Sequence, residues 1–194
     1  MHDLEAWNEA VCDGAWGPRA AALGETLRQG LDLEHWAAFR RSFESMCELL
    51  EEVGAGRRGE PPATIVTLSG DVHHAYLAEV GFRKGAGVRS RVYQATCSPF
   101  RNPLDNLERT AMRGAWSGAA ARIARVLARS AGVPAPPIRW RFAHEEPWFE
   151  NQVATLRFDG RRASLRIEKT LVDDAERGGS GRLRLERVFE RGLA

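Results

Sequence analysis

An aspartate and two histidines stand between two apolar runs near the middle of the chain. The stretch TIVTLSGDVHHAYLAEVGF, residues 64–82, places Asp71, His73 and His74 after the first run. A neutral imidazole suits zinc, manganese or iron, and Asp71 can bind a metal or orient an imidazole from behind. His73 could equally act as a general acid. The structural alternative stays open: Asp71 caps a turn and His73 is a hydrogen-bonded, half-buried side chain.

Three other groups invite a chemical interpretation. Cys97 could be a nucleophile, but no histidine or acid is placed beside it, which favours a small buried residue at a strand end. Ser69 lacks the G-x-S-x-G elbow of a nucleophilic serine. His144, Glu145 and Glu146 have the types of a metal cluster, but the proline and aromatic residues that follow favour a connector packed over a sheet end.

Arg101 and Asn102 lie in the loop CSPFRNPLDN, which follows a predicted strand. A guanidinium and an amide in such a loop suit contacts with a phosphate group or another part of a substrate. A loop anchored by a salt bridge explains the same residues, and both alternatives stay open.

Composition sets limits on partners and location. The 194 residues carry a formal net charge of only +2, with both signs interleaved, so no overall field predicts a nucleic acid or membrane partner. The three cysteines are far apart without CxxC spacing, which predicts reduced thiols. The N-terminal residues do not resemble a signal peptide and no run is long enough to span a bilayer, so we predict a cytoplasmic protein by default.

The first 54 residues predict one clear helix after an irregular start. Up to Gly30 the chain is interrupted by Gly14, Gly17, Pro18 and Gly24. A helix is then predicted from an N-cap at Asp32 to Gly54, because apolar residues recur every three or four positions. Its predicted core face comprises Trp36, Phe39, Phe43, Met46, Leu50 and Val53.

Strands are predicted on both sides of a second helical region. Thr64–Leu68 has the β-branched apolar composition of a buried strand, and strands follow at Ala75–Phe82 and Arg91–Thr96. WRFAHEEPWFEN is predicted as a connector, and residues 152–170 as a hairpin around an Asp159-Gly160 turn. The tail from Asp173 offers one more strand, RLRLERVF, before residues that are expected to fray.

The second helical region, Thr110–Gly132, predicts one amphipathic helix with arginines on its solvent side. Its predicted core face comprises Met112, Trp116, Ala119, Ile123 and Leu127. A basic helix could bind a nucleic acid, in which case substitution of Arg122 and Arg125 would weaken a salt-dependent interaction. A solvated arginine face is the commoner explanation, since no aromatic residues interleave with the arginines.

Three segments together resemble a known family. TIVTLSGDVHHAYLAEV, RVYQATCSPFRNPL and PWFENQVATLRFDGRRASLRIEKT resemble the C-terminal half of alkaline phosphatase D-like metallophosphatases, of the calcineurin-like metallophosphoesterase superfamily. The similarity extends from the start of the chain to about Leu171, and the strand-GDVH-strand unit is its most specific part.

The resemblance implies an α/β fold: the C-terminal half of a two-layer β-sandwich flanked by helices. It also implies a two-metal centre that hydrolyses phosphoric esters, with iron, calcium, manganese and zinc as candidate ions. His73 matches the last histidine of the closing motif and Asp71 the aspartate of this branch, so both are implied as metal ligands and catalytic residues. His74 matches no family position and is assigned to substrate binding with Arg101 and Asn102.

The chain departs from the family in lacking the N-terminal half, whose strand loops supply the remaining ligands. We therefore expect residues 1–172 to be the C-terminal part of a metallophosphatase domain and residues 173–194 a tail. The expected partners are a phosphate-ester substrate and the missing N-terminal half. The alternative is a non-catalytic remnant or interaction module that keeps the fold without a complete metal centre.

Overall fold

A computed structural model describes residues 2–30, 39–70, 73–98, 106–115, 117–172 and 183–194. The helices are α1 (His2–Cys12), α2 (Pro18–Gly30), α3 (Arg40–Gly54), α4 (Asn106–Ala115) and α5 (Gly118–Ser130). The strands are β1 (Thr64–Ser69), β2 (Tyr76–Phe82), β3 (Arg91–Thr96), β4 (Ile138–Phe142), β5 (Gln152–Asp159), β6 (Arg162–Val172) and β7 (Leu183–Gly192). The predicted α/β class is confirmed at this general level.

The chain divides into two compact units, each built from two stretches. Unit 1 comprises Met1–Leu49 with Thr110–Pro137, and unit 2 comprises Leu50–Arg109 with Ile138–Ala194. Both β-sheets belong to unit 2. The predicted division at residue 172, which rests on the family resemblance, stays a prediction.

Unit 2 contains one mixed sheet and one antiparallel sheet. The four-stranded sheet has the order β1-β3-β2-β4, in which β1 runs parallel to β3 and the other pairs are antiparallel. The three-stranded sheet has the order β5-β6-β7. The predicted hairpin is confirmed, although its turn lies at Gly160-Arg161, because Asp159 still pairs with Arg162.

One hydrophobic core joins the two sheets. Leu77, Tyr93 and Ala95 of the first sheet cluster with residues of β6 and with Leu193. This is the arrangement expected when each sheet buries one face against the other. Leu193 is fully buried and its backbone N–H donates to Ala163 O at 2.8 Å, so the prediction of a frayed end is wrong at this residue.

Two strand predictions need correction. Thr64–Leu68 is not a buried strand: among the described strands β1 lies at the edge of its sheet, and Leu68 is 68% exposed. An apolar run fits a central parallel strand, but composition does not reveal whether a neighbour is present on each side. The predicted connector is also partly a strand: residues 140–142 belong to β4, which pairs with β2.

Unit 1 is helical and its core is made mainly of alanines. Ala6 and Ala10 of α1 pack with Ala128 of α5 and with Val133. The predicted break at Gly24 does not occur, because Gly24 lies inside α2 and is buried. A Cβ on Gly24 would approach Val11 Cγ1 to 3.1 Å, so this glycine serves close helix packing.

Two predicted helix faces differ from those observed. Phe39 lies before α3 and is 57% exposed, whereas Phe43, Cys47 and Leu50 are buried as one stripe. Asp32 and Trp36 lie outside the described residues. The predicted end of this helix at Gly54 is confirmed.

The helix predicted over Thr110–Gly132 is two helices. The Ser117 hydroxyl accepts from Ala120 N and caps α5, which restarts the helical register. Ala124 and Ala128 face the interior, while Ile123 is 63% exposed, so the predicted core position of Ile123 is wrong. The side chains of Met112 and Trp116 lie outside the described residues.

All three cysteines are free, as predicted. Within the described residues, no helix has both the length and the apolar character needed to cross a lipid bilayer.

Candidate functional site

The candidate site begins where β1 and β3 end side by side. Their parallel register aligns Ser69 with Thr96, and the two hydroxyl oxygens lie 2.6 Å apart. The ladder extends one step further, since Cys97 N–H donates to Ser69 O at 3.1 Å. Chain segments that follow the carboxyl ends of neighbouring parallel strands share one sheet edge, which is where ligands bind in open α/β sheets. Nothing in the sequence pattern indicated this hydroxyl pair.

His73 follows β1 by four residues and occupies an unusual backbone conformation. Its φ is 54°, and it is the one described non-glycine residue with positive φ. A non-glycine residue in the left-handed region carries a conformational cost, and such residues concentrate at functional sites. The side chain is exposed. Asp71, its predicted co-ligand, lies outside the described residues.

His74 is placed differently from its neighbour. It is only 6% exposed, and its ring stacks on Tyr76 at a centroid distance of 5.5 Å and lies 6.1 Å from Phe149. The two neighbouring histidines therefore have different surroundings, since His73 is exposed and His74 is buried. Little of the His74 surface is left for a ligand, and its role in substrate binding stays a prediction.

Arg109 is an additional cation near this group. Its guanidinium carbon lies 5.9 Å from the centroid of the Phe149 ring, and Nη2 donates to Phe149 O at 3.4 Å. The stacking of a guanidinium on an aromatic ring fixes the orientation of both groups. Sequence reasoning missed Arg109, because nothing in its local pattern distinguishes it from the other arginines. The predicted substrate contacts Arg101 and Asn102 lie outside the described residues.

Cys97 lines an apolar groove beside the strand ends. The groove has a volume of about 190 Å³ and is bounded by β1 and β5, with residues of β3 and β6 between them. Burial raises the pKa of the Cys97 thiol, which disfavours the reactive thiolate. The structure therefore supports the interpretation of Cys97 as a small half-buried residue at a strand end.

His144 has a structural role in unit 2. Its Nε2 accepts from Leu77 N–H at 3.1 Å, and Nδ1 lies 2.6 Å from Glu146 O. Nε2 must be unprotonated to accept, so the proton sits on Nδ1 and is donated to the carbonyl. Burial lowers the pKa of His144, in agreement with a neutral ring. Both nitrogens are engaged by backbone, and the predicted connector role is supported over a metal cluster.

The described side chains do not by themselves fit a two-metal centre. No group of three or more His, Cys, Asp or Glu residues is arranged to hold an ion within the described ranges. Zinc sites in proteins take three or four protein ligands per ion, and His73 could supply only one of them. Any centre at this edge therefore needs donors beyond the described residues, among which Asp71 is the predicted one.

No family model, curated protein or solved structure matches the chain.

Proposed function

We propose that this chain is part of a metal-dependent phosphoric ester hydrolase and contributes Asp71 and His73 as ligands at the sheet edge where β1 and β3 end. The remaining ligands would come from outside the described residues, in keeping with the expected missing N-terminal half. We further propose that the two sheets of unit 2 form part of a metallophosphoesterase β-sandwich.

One observation carries the proposal. An exposed imidazole is held in a left-handed backbone conformation, four residues beyond the end of one strand of a parallel pair. The β1–β3 ladder and the contact between the Ser69 and Thr96 hydroxyls order the strand end that precedes this imidazole. A rigid strand end is a better support for a ligand than a loop alone.

The test compares His73→Gly with the unaltered chain. Glycine accepts positive φ without steric cost, so this variant removes the imidazole and keeps the backbone conformation. Lys84→Ala, at an exposed turn residue, is the matched control. Each protein is reconstituted with iron, calcium, manganese or zinc, and the bound metal per chain is measured beside hydrolysis of p-nitrophenyl phosphate and bis(p-nitrophenyl) phosphate.

We expect metal content to fall in His73→Gly and to be unchanged in Lys84→Ala. Two ions per chain with hydrolysis would place every ligand within the 194 residues. Loosely held ions without hydrolysis would place the other ligands on another polypeptide. Metal content unaffected by His73→Gly would sink the proposal.

A non-catalytic interaction module is the second candidate, and the groove between β1 and β5 favours it. An apolar groove beside an unpaired strand edge is a surface that other polypeptides can cover. This candidate predicts a folded chain whose metal content does not depend on His73.

A further inference from the structure

A cavity of about 260 Å³ lies at the amino-terminal end of β1, whereas His73 follows the carboxyl end of this strand. Three segments of unit 2 meet there: the connector from α3 to β1, the loop between β2 and β3, and the turn between β5 and β6. A strand rises about 3.3 Å per residue, so the two ends of β1 lie roughly 17 Å apart. The cavity is therefore separate from the candidate site. Its lining residues are Glu60, Pro61, Pro62, Ala63, Arg89 and Arg161.

Hydrogen bonds and prolines hold the backbone around this cavity in place. Ser90 Oγ donates to Pro62 O at 2.5 Å, and Arg89 N–H donates to Gly54 O at 2.8 Å. Proline has a fixed φ and no N–H, which stiffens the connector. The side-chain donors among the lining residues are the guanidinium groups of Arg89 and Arg161.

The two arginines of the cavity differ in what they bind. Arg161 Nη1 donates to Glu60 Oε1 at 3.3 Å, and both side chains are mostly exposed. An exposed ion pair of this kind contributes little to stability, so a ligand can displace the carboxylate. Arg89 has no acidic partner among the described residues. One guanidinium is thus unpaired, and the other is paired with an acid that can move away.

Positive charge is concentrated around this cavity. Residues 55–63, 83–90 and 159–162, which form the three segments, contain seven arginines and lysines and two acids. Two further acids, Glu51 and Glu52, pair with Arg57 and Arg58, so seven cations still face four acids at this end of unit 2. The whole chain has a formal net charge of only +2. A local excess of one sign of charge attracts ligands of the opposite sign.

We propose that this cavity binds the phosphate group of a small molecule between Arg89 and Arg161, with Glu60 displaced into solvent. Guanidinium groups bind phosphate oxygens through paired, charge-assisted hydrogen bonds. A monoanionic carboxylate such as that of Glu60 matches one arginine, whereas a phosphate dianion matches the charge of both. The cavity is smaller than the pockets that hold drug-sized molecules, which favours a small phosphate compound.

This site goes beyond the proposed hydrolase function. It needs no metal ion, and it uses none of the residues assigned to the hydrolase centre. Phosphate binding to the metal-free chain therefore tests this site, whereas the metal content of His73→Gly tests the hydrolase proposal. Either proposal can fail without the other.

The experiment is isothermal titration calorimetry of the metal-free full chain with inorganic phosphate, glycerol 3-phosphate and acetate at constant ionic strength. Arg89→Ala and Arg161→Ala each remove one guanidinium at an exposed position. Glu60→Gln removes the competing carboxylate. Arg129→Ala, at an exposed position of α5 in unit 1, is the control with the same change in net charge. Circular dichroism spectra that match the unaltered chain show that the variants fold.

We expect one phosphate per chain, bound at least about tenfold more weakly by each cavity arginine variant and more tightly by Glu60→Gln. Arg129→Ala should bind phosphate as the unaltered chain does. Tighter binding of glycerol 3-phosphate than of inorganic phosphate would identify a phosphate ester as the ligand, and the reverse order would identify free phosphate.

Three results would overturn the proposal: no saturable phosphate binding in the millimolar range, binding that both cavity arginine variants retain, or an equal loss in Arg129→Ala. Weaker binding by Glu60→Gln would overturn the displacement of Glu60. Acetate bound as tightly as phosphate would overturn the assignment of the site to a phosphate group.

Discussion

The space between the two sheets of unit 2 is filled on one side and forms a groove on the other. On the side of β4 and β7, called here the closed side, His144, Trp148 and Phe189 fill the space between the sheets, with the Trp148 and Phe189 rings 5.1 Å apart. The Glu79–Arg141 ion pair bridges β2 and β4. On the side of β1 and β5, called the open side, the space is a groove and Leu68 is largely exposed.

This difference shows that the number of apolar residues on one side does not determine how far they are buried. Both sides carry large apolar residues. Among the described residues, the aromatic rings of the closed side pack between the sheets, whereas Phe158 on the open side is 63% exposed. The open side has Leu68, Ala154 and Leu156, which line the groove without filling it. An exposed apolar surface of this kind is typical of a site that another molecule or segment covers.

A matched pair of phenylalanine truncations should show the largest contrast. Phe189→Ala on the closed side removes a ring that packs on Trp148 and the shared core, and we expect a loss of about 3 kcal/mol in the free energy of unfolding. Phe158→Ala on the open side should change it by about 0.5 kcal/mol or less, because Phe158 is mostly exposed. Urea unfolding of both variants measures the difference. Equal losses would mean that the open side is already packed.

Acid should weaken the closed side through His144. Well above pH 6.5, the ordinary pKa of histidine, the ring is neutral in both the folded and the unfolded chain. As the pH falls below 6.5, the unfolded chain binds a proton before the folded chain does, because burial lowers the pKa of the folded state. Stability is therefore lost as the pH falls from 6.5 through the folded-state pKa, by at most about 1.4 kcal/mol per pH unit for one proton.

His144→Gln is the variant that isolates this effect, since glutamine can still accept from Leu77 N–H but does not titrate. Burial also lowers the pKa of His2, which contributes with the same sign in both proteins. The difference between the two slopes of stability against pH thus reports His144. Parallel slopes would contradict the assignment of a neutral, hydrogen-bonded ring.

The smallest effect concerns the core that both sides share. The Tyr93 hydroxyl is buried and has no hydrogen-bond partner among the described residues, so Tyr93→Phe should leave stability unchanged or raise it by about 1 kcal/mol. Tyr76→Phe is the control with the opposite expectation, because Gln94 Nε2 donates to the Tyr76 hydroxyl at 2.8 Å. We expect it to cost about 1 kcal/mol in thermal unfolding measurements. A destabilising Tyr93→Phe would show that a partner, such as an ordered water, satisfies the hydroxyl.

Local patterns predicted the elements well and their surroundings less well. The bounds of β3 and the end of α3 at Gly54 follow from β-branched residues and a helix-stopping glycine. The exposure of Ile123 could not be predicted, because the Ser117 cap changes the helical register and alanines allow α1 and α5 to approach closely. The edge position of β1 depends on which strands are present, which its own six residues do not encode.

The sequence indicated where in the chain the candidate site lies, but not its backbone conformation or which of its side chains are buried. A polar Gly-Asp-Val-His stretch between two apolar strands predicted the sheet edge on which His73 lies. The burial of His74 depends on ring contacts that include the distant Phe149, and nothing in the local pattern indicated the left-handed backbone of His73. The proline and aromatic residues that follow His144 in the sequence argued against a metal cluster. The hydrogen bonds that engage both ring nitrogens with the backbone give the physical reason.

The interleaving of the two units has a consequence for synthesis on the ribosome. Strands β1, β2 and β3 leave the ribosome together and can pair at once, but β4 and the second sheet follow only after Thr110–Pro137. The helix α1 must likewise wait for α5 before its alanine face is covered. Neither unit can be completed from one uninterrupted stretch, so a chain whose synthesis stops within Thr110–Pro137 contains two incomplete units and no complete one.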